Sequence, residues 1–246
     1  MTPRGPVLAA LVASGAAACG DTGPEMTAVC ATLQAAPSIR SSQCGPAEDF
    51  TPINSYQGEI AGVQDREEAV VLIDGRCTGT LIAAAAGPVV LTAGHCVGLG
   101  DQSVVAFNVE DNPDGDPLVT GGTVIEQALE PDYALLRLDT LPAAAPTLLT
   151  TRPTDRLAII QHPRGRPKVI AEGSYLDACN GLVYYADLDT LVGSSGAGVL
   201  SSGGHLLAVH TDGDCAQDGS GTNHGWSAAA IVDASPYLLP ADIADR

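Results

Sequence analysis

The sequence predicts an all-β protein, a sandwich or barrel of short strands, on three observations. Twelve apolar runs of strand length lie between residues 69 and 232, separated by Gly, Pro, Asn and Asp. No long stretch carries the 3.6-residue period of an amphipathic helix. An Ala/Thr-rich bridge holding Pro142, Pro146 and Pro153 divides the runs into six and six.

Residues 1–18 read as an export signal. Arg4 supplies a positive n-region, 7–18 is a short apolar run, and Ala16-Ala17-Ala18 are the small residues a signal peptidase accepts. The run is too short to span a bilayer as a lasting helix. Because Cys19 follows directly, the segment also resembles a bacterial lipobox, with Cys19 as the acylated first residue of the mature chain. Residues 19–58 are rich in Ala, Pro, Ser and Thr without a sustained period, and read as a linker or pro-segment. Strands are expected at 69–73, 78–82, 89–92, 103–109, 120–129 and 133–138. After the bridge they resume at 157–161, 167–172, 182–187, 197–201, 205–211 and 226–232.

Composition narrows the function. Hydrophobic content is 45 %, and 28 Gly and 17 Pro suit many strands joined by tight turns. Eleven basic residues against 29 acidic ones give a net charge of −18, which repels nucleic acid and anionic lipid. Membrane contact is therefore expected only through a lipid on Cys19.

Three segments carry the chemistry, in one order: Leu91-Thr92-Ala93-Gly94-His95-Cys96, then Asp132-Tyr133-Ala134-Leu135-Leu136, then Gly193-Ser194-Ser195-Gly196-Ala197-Gly198. They offer an imidazole, a carboxylate and a hydroxyl at the edges of apolar stretches. A serine hydroxyl is a poor nucleophile at neutral pH. It needs a base to take its proton, and the base needs an acidic partner to fix its tautomer.

All three segments, and their order, resemble the motifs of the chymotrypsin–trypsin family of serine peptidases. Thr78-Gly79-Thr80-Leu81-Ile82 after Cys77 resembles the strand that precedes the family's histidine. The resemblance implies two six-stranded antiparallel β-barrels, about 60–139 and 157–232 within a peptidase domain 59–246, with the active site between them. It makes His95 the general base and later acid, Asp132 its buried partner, and Ser195 the nucleophile. The amides of Gly193 and Ser195 are expected to form the oxyanion hole. Asp139 competes with Asp132 but ends its strand, and Ser194 competes with Ser195, although the family frame puts the nucleophile directly before Gly196.

Two positions depart from the family. Gly198 stands where proline is usual. Ser194 replaces the aspartate that, in animal trypsins, binds the freed N-terminus. Ile60-Ala61-Gly62 faintly resembles the family's mature N-terminus, yet with Ser194 that ion pair cannot form. Bacterial members, glutamyl endopeptidases included, carry Asn or Ser here. Gln161-His162-Pro163 and Gly165-Arg166-Pro167 also resemble a turn of bacterial members, with a structural role.

The resemblance places Asp189, Thr190 and His210 at the specificity pocket and lets Thr211–Gly213 pair with the substrate main chain. The charges conflict. Asp189 on the pocket floor would attract Arg or Lys, whereas Thr190 and His210 match positions that bind a glutamate carboxylate. A buried Asp189 beside a carboxylate substrate is costly unless it pairs with His210 or turns away. The preference stays open between acidic and basic side chains. Thr211 keeps a hydroxyl near Asp132.

Seven cysteines are odd for an exported chain, and a lipidated Cys19 leaves six. The resemblance pairs Cys77 with Cys96. The remaining four are then expected as Cys30–Cys44 and Cys179–Cys215. No cofactor is required. The clustered oxygens of the acidic run Glu110-Asp111-Asn112-Pro113-Asp114-Gly115-Asp116 suit calcium, although a solvated acidic turn is the commoner use of such a run, and the spacing holds no zinc or phosphate motif. Protein or peptide substrates and a monomer are expected. The alternative function is a catalytically silent surface protein that uses the same fold as a binding platform.

Overall fold

The computed structural model describes residues 28–35, 42–60, 62–113 and 117–245. The export-signal and Cys19 readings fall outside these residues, as do Asp114, Gly115 and Asp116.

Two closed six-stranded antiparallel barrels make up the fold. The first contains β2 (Val70–Ile73), β3 (Cys77–Ile82), β4 (Val89–Thr92), β5 (Gln102–Phe107), β6 (Leu118–Leu129) and β7 (Asp132–Leu138), closing in the order β2-β3-β4-β7-β6-β5. The second contains β8 (Arg156–Gln161), β9 (Val169–Cys179), β10 (Leu182–Ala186), β11 (Gly198–Ser201), β12 (Leu206–Cys215) and β13 (Gly221–Ser227). Its order β8-β9-β10-β13-β12-β11 returns to β8 through the β11–β8 pairing.

Side-chain alternation builds three cores at once. Leu81, Val90 and Leu136 point into the first barrel with Val71, Val105 and Phe107, while Leu157, Ile159, Val183 and Val199 fill the second. Their strand neighbours Ile82, Leu91 and Leu135 point outward and meet Leu149, Ile160, Leu200 and Val209 between the barrels. Successive strand residues face opposite sides, and β3 and β4 are buried on both faces; β4 opens with the apolar run Val89-Val90-Leu91, whereas β3 buries Thr78, Gly79 and Thr80 beside Leu81 and Ile82. Each such Leu or Ile contributes about 1.5–3 kcal/mol relative to exposure. Strand β5 has one wet face and shows the alternation its sequence suggests.

The run expected as a strand at 226–232 is instead the end of β13 followed by α2 (Ala228–Ala234). Ser227 Oγ accepts the Ala230 N–H at 3.1 Å, a helix N-cap, and three alanines follow with the best helix propensity available. Apolarity alone does not give this segment its period, and only Ala228, Ile231 and Val232 of its helical part are buried.

The N-terminal segment also differs from expectation. The bonds are Cys30–Cys179 and Cys44–Cys215, rather than Cys30–Cys44 and Cys179–Cys215; Cys77–Cys96 is present. Both N-terminal cysteines therefore reach 149 and 171 residues along the chain into the second barrel. Helix α1 (Ala28–Ala35) carries Cys30, and the two-residue β1 (Thr51–Pro52) adds to the edge of β9 opposite Val169 and Ile170. Three disulfides suit an oxidising, extracytoplasmic compartment. No helix among the described residues is long and apolar enough to cross a membrane.

A buried charge cluster ties the barrels together. Lys168, fully buried, donates to Glu110 Oε1 and the Glu67 carbonyl at 2.7 Å each and is ion-paired with the Glu67 carboxylate. Glu110, from the acidic run, is thus turned inward, where Asn54 Nδ2 also donates to it at 2.9 Å.

Candidate active site

His95 sits on the 3-10 turn Gly94–Cys96 that ends β4, and Asp132 opens β7. The pairing of β4 with β7 brings these turns together. Asp132 holds the histidine twice: Oδ1 accepts the His95 main-chain N–H at 2.9 Å, and Oδ2 meets Nδ1 at 2.6 Å. Gly94 permits the approach, because a Cβ there would lie 1.9 Å from the Ala128 carbonyl. The Asp132 hydrogen bond raises the His95 pKa, which burial opposes and the charges of Asp132 and Asp212 reinforce.

The serine turn lies between Leu191 and β11 and is tied to both barrels. Thr78 N–H donates to the Ser195 carbonyl at 2.9 Å, and Thr78 Oγ1 donates to the Gly193 carbonyl at 2.8 Å. Gly196, at φ +87°, sits so close to Thr92 Oγ1 (2.0 Å from a built Cβ) that no side chain fits. Ser194 is fully buried and its Oγ accepts the Leu191 N–H at 3.0 Å; Ser195 is half-exposed and faces the cleft.

Amide use along this turn alternates. The Ser194 N–H donates to the Leu191 carbonyl at 2.9 Å and the Gly196 N–H to the His210 carbonyl at 2.8 Å. The amides of Gly193 and Ser195 donate to no other described residue. The Val192 carbonyl accepts the Arg164 N–H at 2.6 Å, and across a trans peptide the Gly193 N–H must point the opposite way. Among the described residues no hydrogen bond joins the His95 ring to the Ser195 hydroxyl, a contact that is often open in unliganded hydrolases.

A cleft of about 600 Å³ runs past Ser195 and is lined by Ser42, Leu191, Val192, His210, Thr211, Asp212, Gly213, Asp214 and His224. Of the pocket residues expected from sequence, His210, Thr211 and Gly213 line it. Asp189 and Thr190 are fully buried behind it. The Asp189 carboxylate accepts the N–H groups of Cys44 (2.5 Å) and Asp49 (3.0 Å), so it does not form a charged floor. His210 Nδ1 meets the Tyr185 hydroxyl at 2.5 Å, and burial, then the nearby His224 and His95, push its pKa down to about 3. Thr211 Oγ1 is buried without a hydrogen-bond partner among the described residues, so it does not bond Asp132.

Sequence reasoning missed Ser42, Asp214 and His224. His224 stands opposite Asp212 in the β12–β13 register, so recognising that hairpin would have placed it. Nothing local marks Ser42; it is held at the cleft by long-range contacts, the Cys44–Cys215 bond and the hydrogen bonds of its carbonyl to the Thr190 N–H and Asn223 Nδ2. Among the described residues the one cluster with metal-ligand spacing is Cys30, Asp177 and Cys179, and its two thiols are joined as a disulfide.

Residues 77–209, more than half of the chain, match the family model described as a trypsin-like peptidase domain. Solved structures of similar fold include a Mycobacterium tuberculosis protease in its active form (TM-score 0.57, 18% identity, covering 82% of this chain and 93% of that one). A serine endoprotease from Yersinia pestis matches with TM-score 0.56 and 15% identity over 72% of this chain and 65% of that one. A human pathogenic astrovirus serine protease matches with TM-score 0.50 and 23% identity over 65% and 90%. No curated protein sequence matches the chain.

Proposed function

Because the chain belongs to the family of trypsin-like peptidase domains, we propose that it is an exported serine endopeptidase that cleaves peptide bonds through an acyl-enzyme on Ser195. His95 takes the Ser195 proton as the hydroxyl attacks the substrate carbonyl, then returns it to the leaving amine. Asp132 holds Nδ1 protonated and offsets the charge of the imidazolium. The negative oxygen of the tetrahedral intermediate is received by the Gly193 and Ser195 amides, each worth about 3 kcal/mol of barrier when preorganised.

The observation that carries this reading is the alternation of amides around the serine: the Gly193 and Ser195 N–H groups donate to none of the described residues, while their neighbours are engaged. Two unengaged amides beside one hydroxyl are what a developing oxyanion needs. Export is supported by the apolar leader and the three disulfides, and Cys19 is the candidate for a lipid anchor.

The test is turnover of an unfolded protein substrate by the purified chain. Cleavage that disappears in Ser195→Ala and in His95→Ala supports the peptidase. Folded, disulfide-intact protein that never cleaves points to the silent binding platform.

A further inference from the structure

Between Thr190 and Gly213, two positions the family likeness assigns to the pocket, stands a residue from far upstream. The Ser42 carbonyl accepts the Thr190 N–H at 3.0 Å and Asn223 Nδ2 at 2.9 Å. On the other side Ser42 lies against Gly213, where an added methyl would come within 2.1 Å of Ser42 Cβ. Ser42 thus takes the space between the two walls that a substrate side chain would otherwise enter.

What holds Ser42 there is covalent and buried. Two residues on, Cys44 is bonded to Cys215 at the end of β12. Both oxygens of the Asp189 carboxylate are committed to this segment, one to the Cys44 amide and one to the Asp49 amide. A carboxylate removed from water needs such donors, and the donors come here from the chain's own backbone. Asn223 Nδ2 also ties the Leu188 carbonyl at 2.9 Å, and Gln161 Nε2 ties the Asp189 carbonyl at 2.8 Å, so the post itself is fixed to the barrel.

We propose that residues 42–49 are a permanent inner wall of the specificity pocket, with Ser42 as the specificity-determining residue and Asp189 as the positioning residue that anchors it. This deepens the peptidase reading and rests on it. The pocket then selects a short side chain before the scissile bond, and Asp189 does not read substrate charge. Because the disulfide keeps the segment in place, the wall belongs to the working enzyme.

A peptide series differing only in the residue before the scissile bond tests this on protein first shown to label at Ser195 with a fluorophosphonate. Absence of labelling counts against the peptidase reading and is distinct from the outcomes that follow. The wild type is expected to favour Ala and Ser at least 10-fold over Arg, Lys and Phe. Ser42→Gly is expected to raise cleavage after larger residues relative to Ala by 5-fold or more. In Asp189→Asn the side-chain amide would face a backbone N–H with its own donor, so all rates are expected to fall together with the ranking kept. An Asp189→Asn change that selectively removes cleavage after Arg and Lys overturns the proposal, as does a ranking unmoved by Ser42→Gly. Should Asp189→Asn not fold, the wild type still decides by mass spectrometry. Labelled, active protein is expected to retain residues 42–49 on the Cys44–Cys215 bond, whereas activity that begins only when the segment is released makes it a removable plug and overturns the proposal.

Discussion

The Val192 carbonyl accepts the Arg164 amide at 2.6 Å, and Arg164 adopts a left-handed backbone (φ 58°, ψ 26°) where it does so. That conformation costs a non-glycine residue energy, and the turn holds it by further bonds: the His162 N–H to Thr78 Oγ1 at 3.0 Å and the Gly165 N–H to the His162 carbonyl at 3.0 Å. The bond fixes the plane of the Val192–Gly193 peptide and leaves the Gly193 N–H free on its other side. Arg164→Pro removes the donor and cannot reach the positive φ, so kcat is expected to fall about 10²–10³-fold, the effect of losing one oxyanion donor. Arg164→Gly keeps the donor and relieves the strain, and is expected to retain activity. Steady-state kinetics on the two variants makes the comparison.

Asp132 fixes both the position and the tautomer of His95. Asp132→Asn keeps the shape but loses the acceptor charge, and kcat is expected to drop on the order of 10³–10⁴-fold. The base must be neutral to act, and its pKa is raised above the ordinary histidine value of 6.5. Activity is therefore expected to fall as pH drops through a midpoint above 6.5. In Asp132→Asn that midpoint should move down, since the bond that raises it is gone. A kcat/KM profile against pH reads both.

His162 gives the fold an acid limit. It is fully buried, its Nδ1 faces the Arg166 carbonyl at 3.0 Å, and its Nε2 has no partner among the described residues. Burial pushes its pKa down to about 4, so between pH 6.5 and 4 the unfolded chain binds a proton that the folded chain refuses. Stability is then present above pH 6.5 and lost as pH falls towards 4, by up to about 3 kcal/mol from this group. His210, pushed down to about 3, acts in the same direction. Urea unfolding of wild type and His162→Gln at pH 5 and pH 7 should show a smaller acid loss in the variant.

Lys168 neutralises a cluster with one carboxylate in excess. Burial pushes Glu67 up to about 7, and Glu110 lies below its usual value because hydrogen bonds from Glu67, Lys168 and Asn54 outweigh its own burial. Lys168→Met strands both carboxylates, and a loss of about 3–5 kcal/mol is expected at pH 8. The loss should shrink at pH 5, where protonation of the carboxyls removes the uncompensated charge. Denaturant midpoints at the two pH values check the sign.

Much of this was legible in the chain. Eleven of the twelve strands expected from short apolar runs occur close to where they were placed, because β-structure announces itself locally through residue type and punctuation. The twelfth, at 226–232, failed because an alanine run is apolar in either period, and Ser227 was not recognised as a cap. His95, Asp132 and Ser195 could be named because each sits in a short string that resembles its family. What the chain hid was long-range. Cys30–Cys179 and Cys44–Cys215 cross more than half the sequence, and the number of cysteines says nothing about which halves meet. Asp189 was assigned a substrate role for the same reason: the two amides that occupy it come from residues 140 and 145 positions upstream.

The most direct measurement is the stoichiometry of fluorophosphonate labelling, with the modified residue mapped by mass spectrometry. One label per chain on Ser195, fast in the wild type and slowed by orders of magnitude in His95→Ala and Asp132→Asn, is the expected result. Labelling on Ser194 or elsewhere, or a rate at Ser195 indifferent to His95, contradicts the account.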